Sequence, residues 1–166
     1  LRMAPTPACP PGTFCWPELA TSDVEVAARF YGALFDWEAR TLDVAGASYT
    51  IFRVDGADVG GGYSHQVTDK PRTPRWNSYI AVPEVDAAVE RARELGGRII
   101  AGPTDILDVS RVAGVADPHG AEFYLWEARV HAGAGRLNEP GSLCWTELIA
   151  PHLDAAERFY TSLFGW

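Results

Sequence analysis

The chain contains an internal duplication. Residues 15–37, CWPELATSDVEVAARFYGALFDW, return as residues 144–166, CWTELIAPHLDAAERFYTSLFGW. Aligned from Pro11 and Pro140, the two copies share 13 identities in 27 positions at a constant offset of 129. A weaker echo, NSYIAVPEVDAAVERARELGG, lies at residues 77–97. Repetition of one supersecondary unit favours a fold assembled from several copies of that unit.

Each copy has the pattern of a short strand followed by an amphipathic helix. Apolar and polar residues alternate over residues 16–20, which is typical of a half-buried strand. Ser22 or Asp23 can cap the helix that follows. The predicted apolar face of that helix carries Ala27, Phe30, Tyr31 and Leu34.

Six further strand-like runs complete the pattern. They are EARTLD, ASYTIFRV and ADVGGGYSH after the first helix, and RIIAGP, DVSRVAGVAD and AEFYLWEA after the second. The predicted order is therefore βαβββ twice, in modules of about residues 11–66 and 75–128 that form one domain at 11–128. Residues 129–139 are predicted to be a linker, and residues 140–166 the first strand and helix of a second, truncated domain. Within the third run, ADVGGGYSH, Gly60-Gly61-Gly62 indicates a close approach of neighbouring chain segments or a bend in the strand.

Composition and charge narrow the classes of partner. The net charge is −8 and no Lys/Arg cluster is present, which argues against nucleic acid. No apolar run approaches the ~20 residues that span a membrane, so no membrane partner is expected. Three cysteines without CxxC spacing and no apolar leader predict a cytoplasmic protein. A small molecule is the expected partner.

Three segments resemble the vicinal oxygen chelate superfamily of glyoxalases, bleomycin-resistance proteins and extradiol dioxygenases. They are ARFYGALFDW, EVDAAVERARELGGRIIAGP and VADPHGAEFYLWE. The resemblance points to the branch of tandem-domain glyoxalase-like proteins. It implies an α+β fold in which paired βαβββ modules form a cup-shaped, eight-stranded mixed sheet with the helices outside. It also implies ligand binding in the cup and, in the enzymes, a divalent metal bound by His and Glu.

The positions that hold metal ligands in the superfamily correspond to Trp16, Asn77 and Tyr124. An indole offers only an N–H donor, an amide oxygen is a weak ligand, and a phenol is protonated at neutral pH. We therefore expect no metal and no other cofactor. The alternative is a divalent metal bound by displaced ligands, Glu18, His65 and Glu122.

Strand alternation predicts a ligand-binding face instead. The candidate ligand-binding residues are Trp16, His65, Asn77, Tyr79, Arg111, Glu122, Tyr124 and Trp126. Aromatic rings among a few polar groups suit a flat ligand. Glu18 is the candidate catalytic acid or base. The alternatives are that the aromatic rings only fill the cup and that Glu18 pairs with an Arg or the backbone.

The leading functional hypothesis is a metal-independent glyoxalase-like protein that binds a small aromatic or polycyclic metabolite. It would act by sequestration, as in resistance, or by acid–base catalysis in secondary metabolism. One alternative is a metal-dependent lyase, isomerase or dioxygenase, and another is a non-catalytic assembly module. Residues 140–166 are expected to dock on the first domain, to pair two chains as a swapped homodimer, or to belong to a longer parent.

Overall fold

The computed structural model describes residues 9–44, 46–65 and 73–166. Eleven elements follow one another in the order βαβββ, βαβββ and α. Their bounds are β1 Phe14–Thr21, α1 Val24–Phe35, β2 Glu38–Val44, β3 Ala47–Val54, β4 Ala57–Ser64, β5 Arg75–Ala81, α2 Val85–Glu94, β6 Arg98–Ile106, β7 Ser110–Ala116, β8 Glu122–Ala128 and α3 Leu153–Phe164.

The eight strands form a mixed sheet in the order β2-β3-β4-β1-β5-β8-β7-β6. In each module the first strand pairs in parallel with the last, β1 with β4 and β5 with β8, while the intervening pairs are antiparallel. The predicted α+β class with two βαβββ modules is therefore confirmed. No helix of the described residues is long and apolar enough to cross a membrane.

The chain divides into two compact units. One contains residues 16–78 and 134–145, and its core forms where α1 packs on Leu19, Phe52 and Val59. Asp23 caps α1, because its Oδ1 accepts hydrogen bonds from the backbone N–H groups of residues 25 and 26 at 3.0 Å. At the β3–β4 hairpin, Asp55 and Gly56 both have positive φ, as a two-residue hairpin turn requires.

The predicted apolar face of α1 is only partly correct. Val24, Ala27, Ala28 and Tyr31 pack on the core, but Phe30 is 59% exposed and Leu34 is exposed as well. The apolar stripe of this helix is wider than the surface that its strands cover. Phe30 and Leu34 lie on the uncovered margin of that stripe.

The other unit contains the described residues up to Cys15 together with residues 79–133 and 146–166. Its core joins α2 to the strands through Ile80, Val85, Val115 and Leu125. The N-terminus of α2 is capped from a neighbouring strand, because the Glu127 carboxylate accepts the N–H of Val85 at 2.9 Å. Gly96 has the positive φ expected for the exit from this helix.

The second copy of the duplicated segment folds differently from the first. Its helix forms as α3, and Phe159, the counterpart of Phe30, is only 3% exposed and packs against Phe123. Residues 143–150 form no strand, although the same pattern in β1 does. A strand needs a hydrogen-bonding neighbour, and no strand of the described residues pairs with this segment. Trp145 is consequently 78% exposed.

The duplicated phenylalanines provide a matched test of how α3 contributes to the fold. We expect Phe159→Ala to lower the free energy of unfolding by about 3 kcal/mol, because it empties a buried aromatic site. Phe30→Ala, at the equivalent but exposed position, should change it by less than about 1 kcal/mol. Urea unfolding followed by circular dichroism measures both. Equal losses in the two variants would contradict the assignment of α3 to the core.

Candidate functional site

Glu18 lies at the centre of a polar network on β1. The residue is only 8% exposed, and both of its carboxylate oxygens accept hydrogen bonds from side chains. Tyr49 on β3 donates its hydroxyl to Oε2 at 2.9 Å, and the Asn77 amide on β5 donates to Oε1 at 3.3 Å. A buried carboxylate needs such partners, because its desolvation is otherwise too costly. The carboxylate is thus held in a fixed position.

Two further donors extend this network. Trp16 donates its indole N–H to the Tyr49 hydroxyl at 3.0 Å, and Arg75 donates its Nε–H to the Asn77 amide oxygen at 2.9 Å. The Tyr49 hydroxyl therefore accepts one hydrogen bond and donates another, while the Asn77 amide group does the same. The predicted residues Trp16, Glu18 and Asn77 are thus connected in one network with Tyr49 and Arg75. We call these five residues the Glu18 network.

Gly61 makes the position of Tyr49 possible. Strand β4 lies between β3 and β1, and Gly61 is the register partner of Glu18. A β-carbon on Gly61 would lie 2.6 Å from Tyr49 Cζ and closer still to its hydroxyl oxygen. Tyr49 can therefore cross β4 to reach Glu18 only because residue 61 has no side chain.

The flanking glycines confirm the predicted close approach of chain segments. A β-carbon on Gly60 would lie 2.8 Å from the Pro17 carbonyl oxygen, and one on Gly62 would lie 3.1 Å from the Phe52 ring. Tyr49 and Arg75 were not predicted as site residues. The signal that pointed to Tyr49 was the glycine triplet, which indicated a crowded strand without indicating which side chain crosses it.

Burial and the nearby carboxylate both act on the Tyr49 phenol. Burial has the largest effect, and the charge of Glu18 adds to it, so that the pKa of Tyr49 is raised well above its usual value near 10. The phenol consequently stays un-ionised at neutral pH. It remains the donor to Glu18 that the network requires.

The side chains at the family's metal-ligand positions do not fit a metal site. The Trp16 indole is a donor whose N–H already points at Tyr49, and the Asn77 amide oxygen is taken by Arg75. Tyr124, the third position, is stacked on Tyr79. Within residues 9–44, 46–65 and 73–166, no group of three His, Cys, Asp or Glu side chains is placed to hold a metal ion. The alternative ligand set of Glu18, His65 and Glu122 therefore gains no support.

The other predicted aromatic residues form a cluster in the unit that contains residues 79–133. Tyr79 and Tyr124 are register partners and their rings stack at 4.8 Å between centroids. Trp126 meets Tyr79 edge to face at 5.8 Å. Tyr79 and Trp126 are buried, whereas Tyr124 is half-buried. Tyr124 is thus the ring of this cluster with most surface left for a ligand.

The remaining predicted residues lie in other surroundings. Arg111 is held by two carboxylates, with a bidentate pair to Asp86 at 2.7 and 2.9 Å and a further contact to Asp105 at 2.8 Å. This geometry neutralises its charge locally, and its role in ligand binding stays a prediction. Glu122 is exposed at the start of β8. His65 is half-buried, and its ring meets Tyr63 edge to face at 6.1 Å.

The comparisons with known proteins agree with this fold. A sequence profile described as "Glyoxalase-like domain" matches residues 17–126 of the chain. The chain belongs to the glyoxalase-like domain family. The predicted membership of the vicinal oxygen chelate superfamily is thereby confirmed.

Curated relatives of the glyoxalase-like chain are longer than it is. The anthracycline biosynthesis protein DnrV of Streptomyces peucetius is 35% identical over 168 residues, which covers 93% of this chain and 61% of the relative. The putative glyoxylase CFP32 of Mycobacterium tuberculosis is 35% identical over 158 residues, covering 93% and 60%. The glyoxalase-like chain therefore spans less than two thirds of these relatives.

Solved structures share the glyoxalase-like fold at low sequence identity. A methylmalonyl-CoA epimerase of Streptomyces coelicolor superposes with a TM-score of 0.56 at 18% identity, over 70% of this chain and 97% of the epimerase. A Mn(II)-bound glyoxalase of Novosphingobium aromaticivorans gives 0.61 at 16% identity, over 93% and 52%. At these identities the likeness establishes the fold alone.

The Tyr49 phenol should give the glyoxalase-like chain a measurable alkaline signature. Because its folded-state pKa is raised, the un-ionised phenol stabilises the fold fully below about pH 10, and that contribution is lost as the pH rises through the folded-state pKa. We expect Tyr49→Phe to be less stable than the wild type by about 1–3 kcal/mol at pH 8, since Glu18 loses a partner. The difference should shrink above about pH 10.

Urea unfolding of both proteins between pH 8 and pH 11 measures this difference. Tyr160, whose pKa is also raised by burial and by Asp117, is present in both proteins and cancels from the comparison. A stability difference that stays constant across the range would contradict the proposed state of Tyr49.

Proposed function

We propose that this glyoxalase-like chain binds a small aromatic or polycyclic metabolite at the Glu18 network, with Glu18 as its acid–base group and without a metal. The observation that supports this most directly is the geometry of Glu18. The buried carboxylate accepts hydrogen bonds from Tyr49 at 2.9 Å and from Asn77 at 3.3 Å. Two of the superfamily's metal-ligand positions belong to the same network, and here they carry Trp16 and Asn77.

The hydrogen bonds define what the carboxylate can do. Tyr49 and Asn77 each donate a hydrogen bond to Glu18. The carboxylate therefore acts as a hydrogen-bond acceptor toward any ligand that reaches it. As a base, Glu18 would take a proton from an acidic C–H or O–H of the ligand. The network fixes its orientation, and a carboxylate held in place catalyses proton transfer better than a mobile one.

The relatives support the setting of the proposal. Two of them, from Streptomyces peucetius and Streptomyces strain C5, are named as anthracycline biosynthesis proteins, and others are named as putative glyoxylases. Their names favour a role in secondary metabolism for this chain. Sequestration and acid–base turnover are both compatible with a held carboxylate, and they differ in whether a ligand leaves chemically changed.

Replacement of the carboxylate tests the proposed role of Glu18. Glu18→Gln places an amide N–H₂ group against the donors of Tyr49 or Asn77, and it removes the base. We expect an anthracycline aglycone, used as the probe, to quench the tryptophan fluorescence of the wild type on binding. The variant should bind it at least about tenfold more weakly. Any conversion of the probe, followed by mass spectrometry, should stop in this variant.

The duplication supplies the matched control. Glu147 is the counterpart of Glu18 in the second copy and is exposed, so Glu147→Gln should bind the probe like the wild type. If Glu18→Gln binds the probe as tightly as Glu147→Gln does, the carboxylate is not part of the binding site. If the wild type leaves the probe unbound, the proposed ligand class is wrong.

Metal analysis tests the metal-independent part of the proposal separately. The donor chemistry of Trp16, Asn77 and Tyr124 predicts that protein purified without chelator contains no stoichiometric divalent transition metal. Elemental analysis by plasma mass spectrometry measures the content. One equivalent of Zn, Fe, Mn or Ni per chain, lost on Glu18→Gln, would favour the metal-dependent alternative.

A further inference from the structure

Two cysteines that are not part of the Glu18 network meet at one turn. A β-carbon built on Gly133 would lie 3.3 Å from Cys9 Sγ and 3.2 Å from Cys15 Cβ. The backbone N–H of Cys9 points at the Ala132 carbonyl oxygen at 3.5 Å, which keeps the Cys9 segment beside this turn. Both cysteines are free thiols, and their side chains lie close enough to shift each other's pKa. The fold thus brings together two side chains that are six residues apart in the sequence.

The two thiols have different access to solvent. Cys15 is 0% exposed, and its thiol also has the Tyr79 carbonyl oxygen as an acceptor at 3.6 Å. Cys9 is half-buried and lines a cavity of about 300 Å³ with Pro10, Pro83 and Trp126. A small molecule in this cavity would therefore meet Cys9 before Cys15.

The contact between the thiols also makes them chemically unequal. The contact with Cys15 lowers the pKa of Cys9 to about 7, against the opposing effect of burial. The same contact, together with burial, raises the pKa of Cys15. A thiolate is the reactive form of cysteine, and an accessible thiolate beside a second thiol is the usual arrangement of a redox-active pair.

We propose that Cys9 and Cys15 are a reversible oxidation site, at which Cys9 reacts with a hydroperoxide and Cys15 closes a disulfide. This inference concerns residues outside the Glu18 network and does not depend on the proposed function. The expected reactant in the cavity beside Cys9 is a small peroxide.

The chemistry is balanced in two steps. The Cys9 thiolate attacks one oxygen of hydrogen peroxide, the O–O bond breaks, and Cys9 becomes a sulfenic acid while hydroxide leaves and is protonated to water. The Cys15 sulfur then attacks the Cys9 sulfur, an S–S bond forms, and the sulfenic oxygen leaves as water with the Cys15 proton. Two thiols and one peroxide give one disulfide and two waters, and an added dithiol reverses the change.

The third cysteine provides an internal contrast. Cys144 is the counterpart of Cys15 in the duplicated segment, but it is exposed, and the position equivalent to Cys9 is Asn138. The second copy therefore has no partner thiol at this place. Cys144→Ser removes the exposed thiol and leaves the Cys9–Cys15 pair intact.

The test uses the Cys144→Ser protein, treated with equimolar hydrogen peroxide and digested without reductant. Trypsin cleaves after Arg2 and Arg29, so both cysteines fall in one peptide, residues 3–29. We expect this peptide to be lighter by two hydrogen atoms and to regain them after dithiothreitol. In the further variant Cys15→Ser, Cys9 should accumulate as a sulfenic acid that dimedone traps, because its resolving partner is missing.

Several results would overturn the proposal. In the first, both thiols of peptide 3–29 can still be alkylated after peroxide treatment. In the second, Cys9 is oxidised to the sulfinic acid and no disulfide forms. In the third, Cys15 reacts before Cys9. The disulfide measurement is made on protein that keeps both cysteines, so it does not depend on the folding of the Cys15→Ser variant. Circular dichroism of Cys15→Ser shows whether its dimedone result refers to folded protein.

Discussion

A carboxylate that is 8% exposed within a sheet can persist only if its oxygens are satisfied, and the Glu18 site is organised around this requirement. The partners come from different strands: Tyr49 from β3 and Asn77 from β5. Each partner is in turn oriented by a further donor, Trp16 or Arg75. Loss of one partner leaves a buried charge with an unfilled acceptor, so the side chains of this network depend on one another.

The Glu18 network also differs from a metal site in the polarity of its groups. A metal site needs lone pairs that converge on a cation, whereas the Glu18 network has N–H and O–H groups that converge on an anion. Trp16 and Asn77 match the second requirement, because both direct N–H groups into the network. The fold is that of the glyoxalase-like family, but the polarity of the site is reversed relative to a metal centre.

Sequence reasoning predicted the modules well, because hydrophobic alternation and turn residues mark the strands directly. Trp16, Glu18 and Asn77 were predicted as candidate site residues from alternation and the family pattern, but the hydrogen bonds that connect them were not predicted. Tyr49 was missed, because a side chain that crosses a neighbouring strand leaves no periodic signal. The exposure of Phe30 was also missed, since periodicity shows that a helix has an apolar stripe but not how much of it the strands cover. Whether residues 143–150 form a strand depends on whether a neighbouring strand is available for pairing. The local sequence pattern does not show this.

The absence of a side chain at Gly61 has a consequence for the comparison of related sequences. Two glyoxalase-like proteins can share Trp16, Glu18 and Asn77 and still differ at the site, because any larger residue at position 61 displaces the tyrosine that crosses β4. Function assigned by matching polar residues alone would treat two such proteins as equivalent. A signature for this type of site therefore needs the glycine and the tyrosine as a pair, 12 positions apart. Within the family, the presence or absence of that pair separates sequences that can build the Glu18 network from those that only resemble it.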